Sequence, residues 1–220
     1  MINDNEWAEI QQDLGAPIAT KPVPPERYDQ FAGIFPPLLF RFWQTYGFAG
    51  FDHGRYWLCD PVEWQPAVDA WTTDLNLVMG SDTWHAITRT AFGKFNLWGE
   101  RTGCSLSILP VHGQIYPTAA SIDMMGTEHA RNIQIETAIT GSITKTDLLG
   151  SDEKPLFKRA LKAHGPVGPD TMYTFVPAYH LGGPLTVDHI EIADAVTHVV
   201  LLSEISPHTV MGDITMSFPD

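Results

Sequence analysis

The chain has 220 residues, is 44% hydrophobic and 18% charged, and sets 13 Lys and Arg against 26 Asp and Glu, for a formal net charge of −13. That length and apolar fraction support one large folded domain or two small ones with a real core. The acidity argues against direct binding to nucleic acid or an anionic membrane, which need a basic footprint, and favours a basic protein partner.

Residues 1–16 form a lead segment whose first fourteen residues predict a short polar helix. "GAPIATKPVPPERYDQF" then places four prolines within nine positions and reads as an extended connector. Pro25 is suited to the first turn of a short helix through Phe31. Pro36 and Pro37 open a second one closed by Gly47, with Leu38, Leu39, Phe42, Trp43 and Tyr46 on its core face. Two aromatic strands flank the turn Asp52-His53-Gly54, and Asp60-Pro61 reads as the N-cap and first position of a further helix. Residues 84–117 predict a meander of strands turning near Gly93, Gly99 to Gly103 and His112-Gly113. All seven Trp lie between Trp7 and Trp98, so this half is expected to pack around aromatic rings.

Beyond residue 121 the pattern loosens, and "IQIETAITGSITKTDLLGSDEKP" reads as a strand followed by an exposed connection, with a subdomain boundary near 140–150. "DEKPLFKRALKAHG" predicts a helix with acids at its start, Pro155 in its first turn, Gly165 at its end, and Leu156, Phe157, Ala160 and Leu161 buried. For "LTVDHIEIADAVTHVVLLSEIS" two short helices are preferred over a helix and a strand. A helix over 186–194 would put Asp188, Glu191 and Asp194 on one face. No Lys or Arg follows Lys162, whereas Asp170, Asp188, Glu191, Asp194, Glu204, Asp213 and Asp220 do, so this quarter is either a solubilising face or a steering surface for a cationic partner. The fold class expected is α+β, a mixed two-part protein whose central antiparallel meander is flanked by short helices.

Chemistry-bearing motifs are scarce. The chain has no Gly-rich phosphate loop, G-x-S-x-G, H-E-x-x-H or C-x-x-C. His180, His189, His198 and His208 are spaced nine, nine and ten apart, which fits no compact ligand pattern, so no metal is expected. Cys59 reads as a small buried hydrophobe and not as a nucleophile. The two cysteines, the absence of an apolar leader and the lack of a spanning apolar run suggest a cytoplasmic protein without a membrane segment.

Two stretches resemble known families. Residues 24–71, with a helix ending in Tyr46-Gly47, the Gly54-x-x-Trp57 strand and the Asp60-Pro61 start, resemble the GAD-like domain, and "AFGKFNLWGE" resembles the linking strands. Residues 155–205, with Tyr173, Phe175, Pro177, Gly182 and Gly183 as the signature within "YTFVPAYHLGG", resemble the C-terminal domain of type VI secretion immunity proteins, although Thr174 stands where that family usually has glycine. The resemblance implies a GAD-like domain over 17–145, an immunity C-terminal domain over 146–220, and an antitoxin that binds a co-encoded effector, characteristically a DNase, without catalytic residues or a cofactor. Charge makes Asp188, Glu191, Asp194 and Glu204 the candidate toxin-binding residues. Two other readings stand beside it: an enzyme or small-molecule-binding module around Tyr173, His180 and Gly182, and an effector chaperone or adaptor.

Overall fold

A computed structural model describes residues 4–145 and 147–213, and the side chains of all of these except 142–145. The expected 145/146 boundary therefore falls beside a position outside the described residues, as do Asp220 and the first three residues of the lead segment. The architecture is α+β, built on a sheet whose antiparallel part follows chain order. Its strands are β1 (Ile18–Lys21), β2 (Phe48–Phe51), β3 (Tyr56–Leu58), β4 (Trp84–Thr90), β5 (Phe95–Gly99), β6 (Gly103–Leu109) and β7 (Gln114–Pro117). The parallel strand β10 (Thr209–Val210) adds to β7 at the far edge.

Strand alternation sends successive side chains to opposite faces of this sheet. Ile87 and Trp98 enter one core with α1 (Asp4–Leu14), α3 (Pro37–Tyr46) and α6 (Glu128–Lys145). Phe95, Leu97, Leu106, Ile108 and Ile115 enter a second with α4 (Gln65–Thr72) and α8 (Ala195–Ile205). A third core joins Phe92 to α7 (Phe157–His164) and to the antiparallel pair β8 (Thr171–Phe175) and β9 (Ile190–Asp194). Short helices α2 (Glu26–Gln30) and α5 (Ala120–Asp123) complete the set.

The lead helix, α2, α3, the meander and the buried stripe of α7 agree with the sequence reading. Five segments differ. The proline-rich connector holds β1, which pairs with β2. Asp60 is not a helix N-cap: it is buried, ion-paired with Arg27 Nε at 2.9 Å and bonded by the Val62 amide, and α4 starts only at Gln65. Residues 128–145 form a helix and not a strand. "IQIETAIT" fits a period of two, but Ile135 and Ile139 lie one helical turn apart in the first core, while Asn132 and Gln134 accept from the Leu38 and Cys104 amides. Helix α7 begins at Phe157 because 150–155 is spent on a turn, with Gly150 N–H donating to Lys154 O and Glu153 at φ +59. Last, 186–194 is a 3-10 turn (Val187–His189) followed by β9, so the helix expected there is replaced by a strand. Its β-branched residues blurred the period, and pairing with β8 decides the outcome.

Candidate partner-binding surface and sheet cleft

The change from helix to strand rearranges the acidic candidates. Register places Asp194 opposite Thr171 and Glu191 opposite Thr174, so the two carboxylates lie on opposite faces of β9. Asp188 sits in the turn before β9, about 13 Å or more from Asp194 at roughly 3.3 Å per residue. The single acidic helix face therefore does not exist. Asp188, Glu191 and Asp194 instead punctuate a strand that has no second partner among the described residues, where charge also guards a free edge against mispairing.

A different alignment emerges on α8. Asp194 is its N-cap, with Oδ1 accepting from Thr197 N–H at 2.9 Å, and the Thr197 hydrogen bonds hold its carboxyl below the ordinary range. Asp194, Thr197, Leu201 and Glu204 follow helical spacing and are all exposed, whereas Ala195, Val199 and Leu202 are buried. Helix α8 is apolar nearly all round, yet this ridge faces solvent with Leu201 46% exposed. Leu201 is thus the one exposed large apolar side chain on α8, set between the polar Asp194, Thr197 and Glu204. Glu191 projects from β9 on the α8 side, beside buried Thr174, whose hydroxyl bonds His198 Nε2. Asp188, Glu191 and Glu204 have no ion pair among the described residues, whereas Asp170 is engaged by Lys21 and Asp213 accepts from the Ala119 amide.

The signature segment is scaffold. Tyr173 and Phe175 are buried against Phe92, and the Tyr173 hydroxyl donates to Gly165 O, so the ring and its hydroxyl are both engaged in the third core. Pro177 follows the end of β8. Gly182 adopts φ +86, and a Cβ on Gly183 would sit 1.7 Å from Pro177 O, so both positions require glycine. Val176, between Phe175 and the Gly182-Gly183 turn, is exposed. His180 Nε2 is buried without a hydrogen bond among the described residues, close to Gly113. Cys59 is buried and its thiol pKa is pushed up by desolvation, in line with a packing role.

Sequence reasoning missed a cleft on the polar face of the meander. Two adjoining cavities of about 450 and 490 Å³ share Lys94 and Ser107. Their floor follows register: Asn96 faces Ser107 and Ser107 faces Tyr116, a polar row that Thr88, opposite Asn96, extends beyond the cavities onto a fourth strand. Lys94 within "FGKF" was the available signal, a lysine alternating with Phe95 toward the opposite face. Burial lowers its pKa, and none of the ion pairs among the described residues includes it. Among the described residues no cluster of three or more His, Cys, Asp or Glu is arranged to hold a metal, and no helix is long and apolar enough to cross a membrane.

Comparison with known proteins assigns the two halves. Residues 6–112 match the GAD-like domain, and residues 142–206 match the T6SS immunity protein Tdi1, C-terminal family. The second match spans α7, β8, β9 and α8. The crystal structure of Atu4351 from Agrobacterium tumefaciens superposes with a TM-score of 0.81 at 20% identity, covering 93% of this chain and 91% of that one, which establishes a shared fold. No curated protein matches the sequence.

Proposed function

We propose that this chain, a GAD-like domain followed by a type VI secretion immunity protein C-terminal domain, binds a cognate basic effector, a DNase, and neutralises it in the cytoplasm by covering its functional surface. The observation that carries this reading is the C-terminal family match over the module that presents the α8 ridge. A nuclease must hold a polyanion, so its cleft is cationic. Uncompensated carboxylates at Glu191 and Glu204 around the apolar Leu201 complement such a cleft in charge, and Leu201 supplies an anchor. Asp188 steers approach from the far end of β9, while Asp194 both caps α8 and faces the partner. Inhibition of this kind needs no catalytic residue or cofactor.

The test is co-expression with the effector encoded beside this gene, followed by purification of the pair and a survival assay. A stoichiometric complex and protection are expected. Leu201→Asp is expected to weaken binding by about 30-fold, the scale of an interface anchor. Glu191→Lys with Glu204→Lys is expected to slow association about tenfold at low salt, with the difference shrinking at high salt. Full protection by the Leu201→Asp and double-reversal variants would remove the ridge from the mechanism. Failure of the wild-type chain to bind or protect would overturn the function. Loss of effector delivery, with survival unaffected, would mark it as an adaptor.

A further inference from the structure

A sheet face lying between helical layers is expected to be apolar, as the opposite face of β5, β6 and β7 is. The face toward α6 is different. Beyond Ile87 and Trp98 it continues as the row Thr88, Asn96, Ser107, Tyr116 and, one step along the strands, Thr90, Lys94, Leu109, Gln114. Some of these groups satisfy one another: Asn96 Nδ2 donates to Thr88 Oγ1 at 2.9 Å, and the Tyr116 hydroxyl donates to Gln114 Oε1 at 2.7 Å. Helix α6 covers one end of this floor through Gln134 and Ala138, while Phe92 and Leu148 wall the other. The space between is in the size range of small-molecule sites.

Lys94 is the exceptional member. In a chain with twice as many acids as bases, most buried or half-buried cations are neutralised or clamped: Arg27 by Asp60, Arg55 by Asp52, and Arg89 by two carbonyls. Lys94 is partly withdrawn from water without an ion pair or ammonium hydrogen bond among the described residues, and desolvation alone perturbs it. Asp147 lines the same cleft, but its carboxylate accepts from the Phe157 amide and forms no ion pair with the ammonium among the described residues. An uncompensated, partly buried cation opposes folding, which is the usual mark of a group kept for a ligand.

We propose that the cleft is a binding site for a small organic carboxylate, with Lys94 taking the carboxylate, the Ser107 and Tyr116 hydroxyls taking polar substituents, and Phe92 and Leu148 packing on the carbon skeleton. A single ammonium matches a monoanionic head. The cleft lining contains no arginine fork, and Asp147 repels a dianion, so a phosphate is disfavoured. This function is independent of toxin binding.

Thermal-shift and calorimetric titrations of the full chain with the monoanions benzoate, hexanoate and lactate test the proposal, with benzamide, hexanamide and lactamide as neutral isosteres and inorganic phosphate as the competing anion. At least one carboxylate is expected to raise Tm and bind at least about tenfold more tightly than its amide or phosphate. Lys94→Met should abolish that preference. Without ligand, this variant should melt at or above the wild-type temperature, because it removes an uncompensated charge. Three outcomes overturn the proposal: no response to any carboxylate, equal response in Lys94→Met, or tighter binding of phosphate. A lower Tm for unliganded Lys94→Met also overturns it, since the ammonium would then serve the fold. Ser107→Ala, a smaller change, provides a second variant and should weaken carboxylate binding while leaving survival against the effector unchanged.

Discussion

Arg89 links the two halves of the molecule through one side chain. It is 1% exposed, its guanidinium carbon lies 5.2 Å from the Trp57 ring centroid and 5.8 Å from that of Trp64, and Nη2 donates to Gly168 O at 2.8 Å and Pro169 O at 2.9 Å. Burial pulls its pKa down to about 10, so it remains charged at neutral pH. Arg89→Met keeps the stem against the rings but leaves two carbonyls without a donor. We expect a loss of about 2 kcal/mol or more in guanidinium-induced unfolding, because unsatisfied buried acceptors cost more than the net value of their hydrogen bonds. An unchanged midpoint would show that the clamp does not hold the halves together. Nothing in "ITRTAF" revealed this role, since the partners stand 79 and 80 residues away. Gly182 and Gly183 were more legible, because a left-handed turn and a close backbone contact demand glycine locally.

At the scale of elements, α8 is tied down by the Asp194 cap and by His198, which bonds the Thr174 hydroxyl on β8. Burial lowers the His198 pKa below 6.5, and burial followed by the nearby His180 lowers that of His112. A depressed folded-state pKa gives stability that is complete above the unfolded value of about 6.5 and is lost as pH falls through the folded value. Asp147 and Glu136 act in the opposite direction, because burial raises their carboxyl pKa values. The wild type must therefore be compared with His198→Gln, in which the amide retains a bond to Thr174. We expect denaturant midpoints at pH 7 and pH 5 to differ less in the variant than in the wild type, and parallel pH profiles would refute the assignment. Helix α3, with its proline start and glycine end, was readable from sequence, as was the meander. Segments 128–145 and 186–194 were not: alternating β-branched residues satisfy both periods locally, and the choice is made by Ile135 and Ile139 meeting the core and by β9 meeting β8. The same reversal split the acids that sequence had placed together and left Asp194, Leu201 and Glu204 as the alignment that survives.

Composition separates the halves of the molecule, but packing joins them. Met172, Ala195, Val199 and Leu202 from the C-terminal half share a core with Trp64, Trp71 and Leu97, and Trp71 Nε1 donates to Val199 O at 3.0 Å. The Tyr173 amide donates to Ala91 O, Lys21 reaches Asp170, and β10 returns to the edge of the meander beside β7. None of these contacts leaves a local pattern, so a chain that suggests two units in composition is expected to unfold as one. All seven Trp lie in residues 7–98, so their fluorescence reports the first half, whereas far-UV circular dichroism also samples α7 and α8. The two probes should give coincident denaturant midpoints. Leu202→Ala, which opens a cavity in the shared core from the α8 side, should lower both midpoints together by a stability loss of about 3 kcal/mol. A dichroism transition that precedes the fluorescence transition would separate the halves. It would also mean that the C-terminal domain can loosen while the sheet persists, so that the α8 ridge proposed as the effector contact would be ordered only on binding. Coincident transitions would instead mean that the ridge is held rigid before contact, so that substitutions in the distant aromatic core weaken effector binding only by unfolding the whole chain.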